Sequence, residues 1–106
     1  MKTVFLGSAN HDLKELRRYI VDKFGGETWR ETLSRIKNAV AQIEAFPYQG
    51  GTPPELMDLG LLGYYQVVSG MNRIIYQIDD ETIYIHLIVD TRRDLKGVLA
   101  KRLFRM

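Results

Sequence analysis

The sequence predicts an α+β fold, a two-layer sandwich in which an antiparallel helical hairpin packs on a mainly antiparallel four-stranded sheet. Two periodic patterns predict it. Apolar residues recur at helical spacing in two stretches of the first half, and they alternate with a period of two in three stretches of the second half. The predicted order is β-α-α-β-β-β, followed by a short C-terminal helix. A length of 106 residues with 45% hydrophobic residues fits a single domain over residues 1–106.

A short strand and a helix begin the chain. Residues 3–6 are rich in β-branched and aromatic types, which predicts a strand. An apolar stripe over residues 13–24 then predicts an amphipathic helix. Asp12 and Glu15 have the spacing of a capping box at the start of this helix, and Gly25-Gly26 ends it.

A second helix follows at once. Its apolar stripe covers residues 29–43, and Thr28 with Glu31 forms a capping box at its start. Pro47 ends it, because proline lacks the amide hydrogen that a helix interior needs. With only two glycines between them, the two helices are expected to fold back on each other as an antiparallel hairpin.

Three strands account for most of the second half. Residues 47–63 are rich in Pro and Gly but also apolar, which predicts an irregular cover or a helical turn. Strands are predicted over residues 64–69, 73–78 and 82–89, joined by short turns into an antiparallel meander. A last helix is predicted from Asp94. Strict alternation along the third strand divides its residues between two faces, with Ile83, Ile85, Leu87 and Val89 on one and Tyr84, His86, Ile88 and Asp90 on the other.

Composition excludes several classes of function. The chain has no cysteine, which excludes thiol catalysis, zinc–thiolate sites and iron–sulfur clusters. His11 and His86 are far apart and have no companions at ligand spacing, so we expect no metal site and no cofactor. No apolar run approaches the length of a membrane helix and no signal-peptide core is visible, so we expect a cytoplasmic protein without a membrane partner.

Positive charge is concentrated in the C-terminal segment. Residues 92–106 carry a net charge of +5, whereas residues 1–91 carry −3. Such a segment suits a phosphate backbone or an acidic protein partner. It also fits a solvated helix face, and charge alone leaves both interpretations open. The cations of the segment are Arg92, Arg93, Lys96, Lys101, Arg102 and Arg105.

Arg73 is the most informative single residue, because no other basic side chain occurs between Lys37 and Arg92. In a meander, the start of the middle strand and the end of the third strand lie at the same end of the sheet. This predicts that Arg73, Arg92 and Arg93 are neighbours that hold an anion between them. The alternative is an arginine paired with a nearby carboxylate, with Asp79, Asp80 and Asp90 as candidates.

His86 indicates a second kind of chemistry. Together with Tyr84 and Tyr76 on the predicted sheet, it has the groups needed for general acid–base work on a phosphodiester. The simpler interpretation is a packed or exposed histidine on the second face of the sheet.

The sequence resembles the RelE/ParE superfamily of bacterial toxins from type II toxin–antitoxin systems over nearly its whole length. Five segments carry the resemblance, in the expected order and on the expected elements: Asp12-Leu13, Tyr19-Ile20, Phe46-Pro47, the strand from Gly70 to Ile78, and the closing Asp90-Thr91-Arg92-Arg93-Asp94. The strand is the most specific of them, because it matches the family pattern of Gly, an aromatic residue, Arg, two apolar residues and Tyr, although Met71 and Asn72 stand between its Gly and Arg.

The resemblance implies a cytoplasmic growth inhibitor that a cognate antitoxin neutralises, of the kind that stabilises plasmids, and that touches operator DNA only through that antitoxin. RelE-like members cut mRNA on the ribosome. They use lysines before the middle strands, arginines at positions like Arg73 and Arg92, and a tyrosine in the last helix. ParE-like members instead poison DNA gyrase.

This chain departs from the ribonuclease pattern. It has no Lys from residue 38 to residue 95 and no Tyr from residue 95 onward. A ribonuclease would have to use Arg73, Arg92, His86 and Tyr76 as its catalytic set. The sequence therefore favours gyrase poisoning, with Arg73 and the six C-terminal cations as the target-binding residues. Ribosome-dependent cleavage of mRNA is the alternative, and a non-toxic scaffold that binds antitoxin and operator is a further one.

Overall fold

A computed structural model describes residues 1–103, and its strands and helices follow the predicted order closely. One additional short helix occupies the Pro- and Gly-rich segment that precedes the second strand. Among the described residues, no helix combines the length and the apolar character needed to cross a membrane. The elements are β1 (Lys2–Phe5), α1 (Gly7–Phe24), α2 (Gly26–Ala45), α3 (Pro54–Asp58), β2 (Tyr64–Ser69), β3 (Asn72–Asp79), β4 (Thr82–Asp90) and α4 (Leu95–Leu103).

The four strands form one sheet in the order β1-β4-β3-β2. β2, β3 and β4 pair as an antiparallel meander, and β1 returns to lie parallel to β4. The predicted fold class, a helical hairpin on a mainly antiparallel four-stranded sheet with a short C-terminal helix, is confirmed.

Both faces of the sheet are covered, by different elements. The hairpin of α1 and α2 covers one face. The buried residues between the hairpin and the sheet are Ala9, Ile36, Ile43, Ile74, Tyr76, Ile83, Ile85 and Ile88. We call the opposite side the second face. There α3 and α4 enclose a smaller cluster, made of Leu56, Ile75, Leu87, Val89, Leu95 and Leu99. Two apolar residues of the Pro- and Gly-rich segment, Leu56 and Leu61, thus anchor α3 to the sheet.

The ends of α1 and α2 are close to prediction, but α1 begins five residues before the predicted cap at Asp12, and the predicted caps are wrong. α1 begins at Gly7, and neither α1 nor α2 has a side-chain cap hydrogen bond. Asp12 lies in the second turn of α1 and binds groups outside the helix. The Thr28 hydroxyl donates to the carbonyl of Phe24 at 3.3 Å instead of capping α2. Gly25 adopts φ 94°, which glycine tolerates, and its amide closes α1.

A β-bulge changes the predicted faces of β4. The register between β3 and β4 shifts by one residue between Ile75 and Tyr76, which leaves His86 without a partner on β3. Beyond the bulge, Ile88 packs under the helical hairpin, whereas Leu87 and Val89 pack on the second face. The prediction that Ile83, Ile85, Leu87 and Val89 share one face is therefore wrong from Leu87 onward.

Tyr76 is fully buried and ties the loop after α2 to the sheet. Its hydroxyl donates to the carbonyl of Pro47 at 2.7 Å, and its ring stacks on Tyr65 with centroids 5.5 Å apart. Gly50 passes directly over that hydroxyl, so that a Cβ there would lie 2.3 Å from the Tyr76 oxygen. The loop can take this path only with glycine at position 50.

We expect Gly50→Ala to lower the free energy of unfolding by about 2 kcal/mol, because the methyl group collides with a hydroxyl fixed by packing. Gly51→Ala is the matched control, since a Cβ at Gly51 meets nothing within 4 Å. Urea unfolding of both variants and the wild type provides the measurement. Equal stability of the two variants would contradict the close approach.

Candidate functional site

An open cleft of about 1300 Å³ is a prominent concavity of the described residues. It lies between α1 and α4 and extends past the start of α2 to the end of β4 and the β2–β3 turn. Leu16, Ile20, Ile88 and Val98 form its apolar part. Sequence periodicity could not predict this cleft, because it depends on the angle at which α4 leaves the sheet.

Two exposed aromatic rings stand at one side of the cleft. Tyr19 is 50% exposed and Phe24 is 63% exposed, and their rings meet edge to face with centroids 6.4 Å apart. Lys23 lies 6.0 Å from the centre of the Tyr19 ring. Exposed aromatic rings beside an apolar concavity are typical of a surface that binds another chain.

The cleft begins where β1 ends. There, side chains of α1 make the hydrogen bonds to the β4 backbone that a neighbouring strand would otherwise make. The Ser8 hydroxyl donates to the carbonyl of His86 at 2.8 Å. One carboxylate oxygen of Asp12 accepts the amide of Ile88 at 3.0 Å. These two contacts satisfy the β4 edge at the points where no neighbouring strand reaches it.

The other carboxylate oxygen of Asp12 binds the guanidinium of Arg102 on α4. Both side chains are mostly shielded from water, with 10% of Asp12 and 28% of Arg102 exposed. The Nη1 atom of Arg102 is buried and has no hydrogen-bond partner within residues 1–103. Asp12 thus connects α1, β4 and α4, and sequence reasoning missed this role because it assigned Asp12 to a helix cap.

The remaining charges of the cleft are mainly positive. Arg92 is bound to Asp90 at 2.9 Å, and this contact lowers the pKa of the Asp90 carboxyl and raises the pKa of Arg92. In the described part of the chain, no carboxylate lies within 4 Å of Arg35, Arg93 or Lys101. These three cations give the cleft a positive potential.

Arg73 does not join the other arginines. The paired start of β3 and end of β4 do lie at the same end of the sheet, as expected, with Asn72 opposite Asp90. However, Arg73 makes two contacts of 2.6 and 2.9 Å with Glu55 of α3 and a third, at 2.9 Å, with Gln66. Only 11% of its side chain is exposed. The predicted anion site of Arg73, Arg92 and Arg93 is therefore wrong.

The contact with Arg73 lowers the pKa of Glu55 to about 2. The alternative prediction, an arginine paired with a carboxylate, is confirmed, but the partner is Glu55 and not one of the predicted residues Asp79, Asp80 and Asp90. Glu55 lies 18 residues before Arg73 in a segment without periodicity. Only the packing of α3 on the sheet identifies it as the partner.

His86 and Tyr76 lie apart from each other. The His86 ring contacts the Gln77 side-chain oxygen at 3.2 Å and the edge of Tyr64 with centroids 5.1 Å apart, and burial lowers the pKa of His86. Tyr76 faces the helical hairpin with no exposed surface, and burial raises the pKa of its hydroxyl. The predicted pairing of His86 with Tyr76 is wrong, because these side chains pack on opposite faces.

The other predicted target-binding residues are distributed around α4. Lys96 forms an ion pair of 3.0 Å with Asp58 of α3, and Lys101 and Arg102 line the cleft. Arg105 lies outside the described residues. Residues 1–103 contain no group of three His, Asp or Glu side chains placed to hold a metal ion.

A family model described as "ParE toxin of type II toxin-antitoxin system, parDE" matches residues 4–95. The chain belongs to this ParE toxin family.

A solved structure supports the same fold. A chain of the chromosomal ParDE toxin–antitoxin system from P. aeruginosa superposes with a TM-score of 0.70 and 17% sequence identity. The superposition covers 85% of this chain and 95% of that one. A search of curated proteins gave no significant match.

Proposed function

We propose that this protein is a growth-inhibiting toxin that poisons DNA gyrase and that a cognate antitoxin neutralises in the cytoplasm. Membership of the ParE toxin family is the observation that carries the proposal. The pairing, burial and positions of the four residues that would form a ribonuclease site also support the proposal. Operator DNA is contacted through the antitoxin in this proposal.

Those four residues do not form one reactive site. Phosphodiester transfer needs charge stabilisation and proton transfer at the same atoms. Arg73 is bound to Glu55. Tyr76 is buried under the hairpin, and its hydroxyl donates a hydrogen bond to the carbonyl of Pro47. Arg92 lines the cleft, whereas His86 contacts residues outside it. Ribosome-dependent cleavage of mRNA is therefore the weaker proposal, and a non-toxic scaffold is a third.

The cleft suits an antitoxin segment that folds when it binds. An amphipathic segment would place its apolar side on Leu16, Ile20 and Val98, and its acidic residues near Arg93 and Lys101.

The first test incubates the purified protein, separated from its antitoxin, with DNA gyrase and supercoiled plasmid. After protease and detergent treatment we expect linear DNA. We expect the double variant Arg93→Glu/Lys101→Glu to produce about tenfold less, because reversing two exposed cations weakens binding to an acidic or DNA-bound target. Lys14→Glu/Lys37→Glu is the matched control, since it makes the same charge change at exposed positions outside the cleft.

Intact plasmid, from a preparation that still arrests growth, would overturn gyrase poisoning. His86→Gln then tests the ribonuclease alternative, in which this variant loses mRNA cleavage while its melting temperature stays unchanged. Normal growth during overexpression of a folded protein would instead favour the non-toxic scaffold.

A further inference from the structure

The segment from α3 to β2 exposes three large apolar side chains within six residues. Met57 is 53% exposed, Leu59 is 46% exposed and Leu62 is 74% exposed. We call these three residues the α3 ridge. Exposing several large apolar side chains together forfeits the free energy of burying them, which marks a surface that another molecule covers.

The ridge is held in place from below. Leu56 is buried in the cluster on the second face, and Leu61 packs against the same cluster. The amide of Leu61 donates to the carbonyl of Leu56 at 2.8 Å, and Gly60 turns the chain there with φ 74°. These contacts hold the backbone that carries Met57 and Leu59, so little backbone entropy remains to be lost there on docking.

Arg73 adds a second anchor. Its guanidinium holds Glu55 in the first turn of α3 and also contacts Gln66 of β2. The middle of the sheet is thereby joined to both ends of the segment that carries the α3 ridge. The residue that the sequence singled out as an anion-binding group instead positions an apolar surface.

The charges beside the α3 ridge are already paired. Glu55 is bound to Arg73, and Asp58 is bound to Lys96. These are the two carboxylates of α3, so the helix presents no unpaired charge. A nucleic acid would need unpaired cations here. The neutral, apolar character of the ridge therefore favours a protein partner.

The shape of the α3 ridge indicates which kind of protein. A segment that folds on binding occupies a groove, and the cleft on the other side of α4 provides one. Protruding side chains instead insert into pockets of a partner that is already folded. The ridge adjoins α4 through the Lys96–Asp58 pair, so it is continuous with the helix that carries the target-binding cations of the proposed function.

We propose that the α3 ridge is the surface through which this protein docks into an apolar pocket of its folded target. This inference rests on the proposed function, in which the target is DNA gyrase. In this proposal the target contacts both the α3 ridge and the cleft cations Arg93 and Lys101, so an antitoxin bound in the cleft covers part of the target-binding surface.

The test measures equilibrium binding of DNA gyrase to the immobilised protein. We expect Met57→Asp/Leu62→Asp to weaken binding at least about thirtyfold, because two anchor side chains lose their pocket. Phe46→Asp is the control, since Phe46 is 57% exposed at the end of α2. The melting temperature and the affinity for the cognate antitoxin should be unchanged in both variants.

The outcomes separate the two proposals. If the wild type neither binds gyrase nor gives linear plasmid, the proposed function fails. If the wild type binds and the double variant binds equally well, gyrase poisoning stands and the docking role of the α3 ridge is overturned. Weaker antitoxin binding with unchanged gyrase binding also overturns it, because the ridge would then belong to the antitoxin interface.

Discussion

Replacing Arg73 with Met is expected to lower the free energy of unfolding by about 3 kcal/mol. The substitution leaves Glu55 without its counter-charge, and removing one partner of a mostly buried pair costs more than the pair contributes in place. Glu55 keeps 26% of its side chain exposed and can regain some hydration, which places the expected loss at the lower end of the usual range. Urea unfolding at pH 7 gives the measurement.

The same ion pair makes stability depend on pH. The pKa of Glu55 is about 2 in the folded protein, below its ordinary value of 4.5. The unfolded chain therefore takes up a proton first as the pH falls. The contribution of the pair is complete above pH 4.5 and is lost as the pH falls from 4.5 towards 2. We expect about 2 kcal/mol to disappear over this window, after allowance for partial exposure.

Two variants make this prediction specific. Glu55→Gln should flatten the acid limb of the stability profile, because it removes the titrating group. Arg73→Met/Glu55→Leu should recover part of the stability lost in Arg73→Met, because it leaves no unpaired charge. Unchanged stability of Arg73→Met at pH 7 would contradict the stabilising role of the Arg73–Glu55 ion pair.

The expected loss of stability changes how Arg73 variants are interpreted. Loss of toxicity on substituting Arg73 would indicate a catalytic or binding arginine only if the fold and the α3 segment were unchanged. Because Arg73 holds Glu55 and Gln66, that condition is not expected to hold. His86 is the better residue for testing ribonuclease activity, since its side-chain contacts are with Gln77 and Tyr64 and involve no ion pair.

Replacing Asp12 with Ala is expected to cost about 3 kcal/mol and to loosen α4. The variant leaves the Ile88 amide without an acceptor and leaves Arg102 without a counter-charge in a shielded position. Because Asp12 joins α1 to α4 across the cleft, the effect should concentrate at the C-terminal helix. Urea unfolding measures the global loss, and hydrogen exchange of the α4 amides measures the local one.

Asp12→Asn should cost less, since the amide oxygen of Asn can still accept the Ile88 amide while the charge interaction with Arg102 is lost. Asp22→Ala is the matched control, because Asp22 is an exposed carboxylate on the same helix. If Asp12→Ala and Asp22→Ala were equally stable, with equal exchange in α4, the connecting role of Asp12 would be wrong.

Local patterns in the sequence determined the elements and their order. β2 has its predicted bounds, and β3 and β4 are within one residue of theirs at each end. Hydrophobic periodicity and helix-breaking residues act over a few neighbouring positions, so a sequence reports them directly. The same patterns, with the Gly70–Ile78 strand as their most specific part, were sufficient for the family resemblance.

Tertiary structure alone decided which groups meet. The bulge at His86 places Leu87 and Ile88 each on the face opposite to the one predicted, because one extra residue inverts a period of two. Arg73 pairs with Glu55, and Asp12 pairs with Arg102, which lies 90 residues away in the sequence. Charged side chains pair with whichever carboxylate the packed elements bring within reach, and no short-range pattern encodes that distance. The elements and the family therefore followed from the sequence, whereas the cleft, the ion pairs and the α3 ridge required the packed fold.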